Sequence, residues 1–539
     1  MPSSIDIQRY TFMKKLTPRF LIIQTYVERN FSQIFCSIVI LIAMFLTFKL
    51  QDRVVGWEPG YNDLQPKHHG WVSAHTMAII SRATLENSFV GYALELKDDQ
   101  NHIQYDYFDR YPVFFSAVFN KVLSLTSNLS SQIYLARQVM NFIFLGTLII
   151  AFLIIDKLIK NKPLALTVAL LAFSNPYLLF YKDMIHFDQP ALFGFLLLIY
   201  AIALYKFDGL KIPVYAATFI AVSLGRGYAS FAILGLWFGL EAFMILKSRD
   251  LIPVEKLKNI LKHPSFFLLV AGILWGASLL SYNIVVEAHK RNVPWMQTSI
   301  INSAENRLSL SETFNQENEG IINWPSFLRG QVDRIIQWSF PVKELSIPFV
   351  GNGTLLALMF ILMGLMIWKQ SLAHRLIYLL LLFSAFVWIL PLRNLAAFHD
   401  YTTMYYIGIP LVFFVTVFTF LKPSKDAAYY LLILGLVVYT VAIFQVKDLH
   451  EQRAGNASTY TYDFMRIREK IDGTGKNIYL TSPIPYGPYP AGYYLSGQYL
   501  TPLPLADYVV SRNKKYLPNN LTPDNTVVFL FKNETIPLK

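Results

Sequence analysis

Runs of about 20 apolar residues recur along this chain of 539 residues, and a run of that length is what a helix needs to cross a bilayer. Eleven segments qualify: roughly 32–50, 133–155, 163–181, 190–205, 212–225, 229–246, 265–285, 349–368, 376–392, 403–421 and 427–446. The fifth is short and ends at Leu224-Gly225-Arg226-Gly227, as a broken or tilted span would. Residues 112–126 add a further short span or an interfacial helix. Composition agrees, with 54% hydrophobic and only 15% charged residues, against about 25% charged in a soluble domain. That balance excludes a disordered chain, a fibre and an ordinary water-soluble enzyme. The single cysteine, Cys36, lies inside an apolar run, which excludes a disulfide scaffold.

The formal net charge is +12, and its placement matters more than its size. With a cytoplasmic N-terminus, alternate connections carry Lys157, Lys160 and Lys162; Lys206 and Lys211; Lys247, Arg249, Lys256, Lys258 and Lys262; Lys369 and Arg375; and Lys422 and Lys425. The short opposite loops hold Lys182, Arg226 and Arg393. That is the positive-inside pattern of membrane insertion, so the basic balance does not point to nucleic acid. Residues 1–31 carry Arg9, Lys14, Lys15, Arg19 and Arg29 with no small-residue cleavage site after the first span, which is therefore expected to stay as an anchor.

The expected fold is a polytopic α-helical membrane protein of about 11 transmembrane helices. Residues 1–446 would form the membrane domain, including outside loops at 51–131 and 286–348. Residues 447–539 would form a small extracytoplasmic α/β domain, helical near 459–472 with strands at 477–480, 508–510 and 527–531. The stretch 70–80 reads as an amphipathic helix in the membrane interface, with Trp71 at headgroup level. No internal repeat is visible, against the expectation for an inverted-repeat transporter.

Ionisable residues at span ends are the functional candidates, because the bilayer makes them costly. In the first outside loop, Asp63 is a candidate general base for an acceptor hydroxyl or amine. His68, His69 and His75 offer imidazoles to a possible divalent metal, although their spacing matches no common zinc motif. The alternative is a solvated loop leading into an anchored helix. Between the third and fourth spans, Lys182, Asp183, His186 and Asp188 place four ionisable groups in seven residues. Asp188 precedes Pro190 in an N-cap or N-prime position, so a plain helix cap is the competing explanation. Arg226 reads either as a ligand-facing cation or as a snorkelling side chain. Arg393 and His399 suit a phosphate, or lipid headgroups at the membrane surface. The cluster Tyr105-Asp106-Tyr107-Phe108-Asp109-Arg110-Tyr111-Pro112 is dense in acids and rings, which suits sugar stacking or simple loop packing.

The chain resembles the GT-C superfamily of membrane glycosyltransferases, most of all the protein O-mannosyltransferase and aminoarabinose-transferase-like branch. Phe187-Asp188-Gln189-Pro190-Ala191-Leu192-Phe193 is similar to that family's Asp-x-Pro-x-x-Phe pattern. Phe108-Asp109-Arg110-Tyr111-Pro112 is similar to its acidic-then-proline segment, and His399-Asp400-Tyr401 with Pro410 to its late aromatic–proline segment. The family places a carboxylate immediately before the interfacial helix; here His68-His69 stand there and Asp63 is the nearest acid behind them. The resemblance implies inverting transfer of a sugar from a polyprenyl-phosphate donor to a protein, glycan or lipid on the outer face of a bacterial inner membrane, with the N-terminus cytoplasmic. It implies catalytic roles for Asp63, His69 and Asp188. Lys182, Arg226, Arg393 and His399 would bind the donor phosphate, and His186, Asp109 and Tyr401 the sugar or acceptor. A polymerase or ligase acting on lipid-linked glycans, a transporter or flippase, and an inactive receptor of the same fold are the alternatives.

Overall fold

The computed structural model describes residues 30–50, 70–107, 110–127, 129–227, 229–248, 252–308, 310, 315–316, 318–338, 340, 351–454, 467, 470–471, 475–481, 498–511, 514–521, 526–529 and 534–537. Among them, eight helices are long and apolar enough to cross a membrane: Asn30–Leu50, Ser131–Ile159, Asp188–Asp208, Ala229–Lys247, Pro264–Arg291, Leu372–Ile389, Tyr401–Leu421 and Lys425–Lys447. The expected eleven segments are all helical, but three fall short of that length. Lys162–Phe173 and Ile212–Ser223 have 12 residues each and Asn352–Trp368 has 17. At 1.5 Å per residue, twelve residues make a helix of about 18 Å, well under the ~30 Å hydrocarbon layer.

For Lys162–Phe173 the reason is local. After Phe173 the Asn175 side chain accepts from the backbone N–H groups of Tyr177 and Leu178 at 2.9 and 3.1 Å. With Pro176 next, this caps a new helix, Pro176–Phe180. Hydrophobicity summed over a span-length window does not resolve such a break, because Ser174 and Asn175 are flanked by apolar runs on both sides.

Asp188–Asp208 and Tyr401–Leu421 are the most enclosed of the long helices, while Asn30–Leu50 and Pro264–Arg291 lie at the periphery. Outward faces carry Leu41, Phe45, Leu274, Val285 and Leu434 exposed, as side chains facing hydrocarbon would be. Hydroxyls inside the bundle return to their own helix. Thr167 donates to the Pro163 carbonyl, Thr218 to Val214 and Thr416 to Val412, at 2.8–2.9 Å, so they leave no polar group stranded.

Seven strands form one sheet in the order β2-β1-β4-β3-β5-β6-β7. They are β1 (Tyr92–Lys97), β2 (Ile103–Tyr107), β3 (Asn477–Leu480), β4 (Tyr499–Leu500), β5 (Tyr508–Ser511), β6 (Thr526–Phe529) and β7 (Glu534–Pro537). The strands read from the tail sequence correspond to β3, β5 and β6. The first-loop hairpin β1–β2 and the short β4 and β7 are additions. β1 runs parallel to β4 through Leu96 and Leu500, so the sheet crosses the boundary expected at 446–447.

One face of the sheet, with Ile478, Leu480, Leu500, Val510 and Val528, packs in a single apolar cluster with Met77, Phe115, Ile133, Met140 and Ile185. This corrects the expectation for 70–80. Residues 75–80 of the Gly70–Arg82 helix are all buried, so the helix is wedged between sheet and bundle instead of floating at the interface. We expect Ile478→Ala to destabilise the outer layer by about 2–5 kcal/mol, read as faster limited proteolysis of the tail with the helical circular dichroism retained.

Candidate active site

The site is built where the Asp188–Asp208 helix begins. Asp188 is its first residue, Phe187 takes the cap position, and no side chain caps the end. The cap explanation for Asp188 is therefore overturned. Its carboxylate is fully buried and turns to other elements. Oδ1 accepts from Arg226 Nη1 at 3.0 Å and from the Tyr405 hydroxyl at 3.2 Å. Oδ2 lies 2.5 Å from His186 Nδ1. A negative group in the first helical turn is also favoured by the helix dipole.

Arg226 reaches this carboxylate because of the turn it sits in. It joins the Ile212–Ser223 and Ala229–Lys247 helices between two glycines. Gly225 has φ +48°, and a Cβ there would lie 2.2 Å from the Phe187 carbonyl oxygen; at Gly227 it would lie 1.9 Å from that of Val222. Only glycine lets the turn close so tightly on the helix start. Arg226 is 1% exposed and does not snorkel. Its Nη2 donates to the hydroxyls of Tyr111 and Tyr401, both at 3.2 Å, and its Nε to Tyr111 at 3.4 Å. Its Cζ lies 5.7 and 5.5 Å from the centres of those two rings, within cation–π range. Every guanidinium nitrogen of Arg226 is thus engaged by a side chain of the protein.

Tyr111 is held by stacking on Phe187, with centroids 3.7 Å apart, and by Asn283, which donates to its carbonyl at 2.6 Å. His186 contacts the Tyr401 ring at 5.3 Å.

Lys182 is fully buried and donates to Asn141 Oδ1 at 2.6 Å. Beside it Arg137 holds Asp183 with contacts of 2.6 and 3.1 Å. This second polar knot ties the segment to the Leu129–Ile159 helix.

A polar pocket of about 360 Å³ opens nearby, lined by Arg110, Asn306, Arg307, Asn394 and His399 among others. His399 is the one expected phosphate residue that lines it, and its ring contacts that of Tyr401 at 5.1 Å. The pocket is therefore linked to Arg226 and Asp188 through one aromatic side chain. Arg393 instead lies over the Trp324 ring, 4.9 Å from its centre. Arg110 and Arg307 were not singled out in the sequence. Both sit in the long connections 51–131 and 286–348, where the positive-inside bias carries little information.

Asp63, His69 and Asp109 lie outside the described residues, as does His68. Among the described residues, no group of three His, Cys, Asp or Glu side chains could hold a metal ion. His75 is buried, and burial first, then the nearby charges of Arg110 and His186, push its imidazole down to about 3.

Compared by sequence, the chain matches no protein-family model and no curated protein. Compared by fold, it is similar to two solved structures of ArnT from Cupriavidus metallidurans. The one bound to undecaprenyl phosphate is 10% identical over 90% of this chain and 87% of that one, with a TM-score of 0.41. The apo structure is 11% identical over 90% and 86%, with a TM-score of 0.42.

Arg226→Ala and Asp188→Ala should each cost about 3–5 kcal/mol, since either strands a buried charge. The double variant should cost clearly less than their sum, and a thermal-unfolding double-mutant cycle reads that coupling. His75 supplies a pH test. Its folded-state value lies below the unfolded 6.5, so the unfolded chain takes up the proton first and stability falls with pH between about 6.5 and 3. The loss should approach ~1.4 kcal/mol per pH unit, and unfolding of His75→Gln should show a flatter acid limb across that window.

Proposed function

We propose that the chain is a membrane glycosyltransferase that moves a sugar from a polyprenyl-phosphate-linked donor to an acceptor on the extracytoplasmic face, with inversion. The observation that carries this reading is the polar pocket with Arg110, Arg307 and His399 beside the buried Asp188–His186 couple, at one end of an apolar bundle. The family motifs around Asp188, Tyr111 and Tyr401 support it, because all three residues meet at Arg226.

The chemistry divides among these groups. Arg110, Arg307 and His399 would hold the donor phosphate by charge-assisted hydrogen bonds. The acceptor oxygen attacks the anomeric carbon as the bond from that carbon to the phosphate oxygen breaks. The phosphate leaves with the electron pair, where the cations stabilise it. A single displacement of this kind inverts the anomeric centre.

The acceptor's proton goes to a base. Asp188 is held by three donors and so orients instead of abstracting. By accepting from Nδ1 it fixes the tautomer of His186 with Nε2 free of the proton, as in other carboxylate–imidazole pairs. His186 is thus our candidate base, with Asp63 and His69 as rivals from the first loop. Tyr401 and Asp109 would border the sugar. The tail of the donor lies along the apolar helices, and a bacterial inner membrane with the N-terminus in the cytoplasm fits the distribution of cations.

The test is binding and turnover in vesicles, with undecaprenyl phosphate as the binding probe. Arg110→Ala/Arg307→Ala should weaken its binding on the order of tenfold or more. His186→Ala should leave binding intact and lower transfer of labelled sugar from membrane lipid extract by about 10²–10⁴-fold. Unchanged binding in the double arginine variant would sink the pocket assignment.

A further inference from the structure

The bundle has a second polar end. The Ala229–Lys247 helix starts beside Arg226 and finishes at Lys247. The Leu372–Ile389 helix runs the other way, from Arg375 near its start toward the Arg393 turn. Asn352–Trp368 starts where Asn352 donates to Asp333 at 2.8 Å and ends at Trp368. Lys247, Trp368 and Arg375 therefore meet at the end opposite Asp188.

There the three helices border an open groove of about 710 Å³. Its walls include Phe243, Phe360, Gly364, Leu379 and Phe383. Among the described residues its charged lining is Lys247 and Arg375, with Ser248 alongside and no carboxylate. Lys247 Nζ lies 5.8 Å from the Phe243 ring centre and Arg375 Cζ 5.4 Å from that of Trp368. Arg375 also donates to the Trp368 carbonyl. The cations are thus held at the mouth by their own stems and rings, above an apolar interior.

An independent feature sets the depth of that mouth. The Pro253–Lys262 helix connects two spans and buries none of its residues. Val254, Leu257 and Leu261 are exposed, while Lys256, Lys258 and Lys262 occupy other positions of the same helix. A short amphipathic helix of this kind lies in the headgroup layer. Lys256 Nζ donates to the Leu246 carbonyl at 2.9 Å, which fastens the helix to the groove's rim.

We propose that this groove is a binding site for an anionic phospholipid. One acyl chain lies against Phe243, Phe360, Gly364 and Phe383, and the headgroup phosphate meets Lys247, Arg375 and Ser248. Charge complementarity selects the occupant: two cations and a hydroxyl at headgroup level match a phosphate, and an apolar interior of this size matches a hydrocarbon chain and no water-soluble anion. The site lies at the opposite end of the bundle from the Arg110 pocket and is independent of the transferase reading.

The full-length protein in detergent, titrated separately with phosphatidylglycerol, phosphatidylcholine and inorganic phosphate, gives the test by native mass spectrometry. One phosphatidylglycerol should be retained where phosphatidylcholine is not. Lys247→Gln/Arg375→Gln should lower that retention on the order of tenfold. A Cβ at Gly364 meets nothing within 4 Å, so Gly364→Phe can enter the groove without a clash and should abolish retention while the melting temperature holds. Equal retention of the two lipids would mean nonspecific annular lipid and overturn the proposal. So would displacement of the lipid by inorganic phosphate alone, or an unchanged count in Gly364→Phe. If Gly364→Phe does not fold, the charge variant decides the matter by itself.

Discussion

The ion pair of Arg226 and Asp188 organises the sheet-bearing end of this protein. A carboxylate and a guanidinium enclosed by protein pay for their desolvation only if every remaining donor and acceptor is matched. The matching partners come from separate parts of the chain: Tyr111 from the first loop, His186 and Asp188 from the segment between the third and fourth expected spans, Arg226 from a glycine turn, and Tyr401 and Tyr405 from a late helix. Displacing any of these elements breaks at least one contact to a buried charge. The pair therefore acts as a registration point for segments nearly 300 residues apart (Tyr111 to Tyr405).

Around that point the molecule keeps its charges at the two ends of the bundle. Within the helices, threonines bond to their own backbone, and Thr47 shares a hydrogen bond of 2.7 Å with Tyr439. Polar chemistry is thus available at both membrane faces. At one face it is enclosed and hydrogen-bonded; at the other it rims an apolar groove.

Much of this was legible in the sequence, and the failures have physical causes. Apolar runs predicted every long helix, because a bilayer-length helix has a strong and local signature. They read 163–181 as one run, although Asn175-Pro176 starts a new helix inside it. Asp188, His186 and Arg226 stood out as ionisable groups at costly depth, yet their partnership is a tertiary fact that spacing does not encode. Lys182 and Arg393 stood out by charge, while their contacts with Asn141 and Trp324 come from distant parts of the chain that spacing does not reveal. Arg110 and Arg307 went unmarked because a long loop hides a cation's significance. The β1–β2 hairpin escaped notice since its pairing partner stands near the other end of the chain.

That last pairing bears on biosynthesis. Leu96 finds its neighbour only when Leu500 has been made, and at ~5–20 residues per second the wait is on the order of half a minute. Through that interval the hairpin presents an open edge, which is the kind of surface that invites wrong pairing. The sheet is closed by strands made only after all the long helices, so a product truncated before them keeps its helices while lacking the strands that pair with the hairpin.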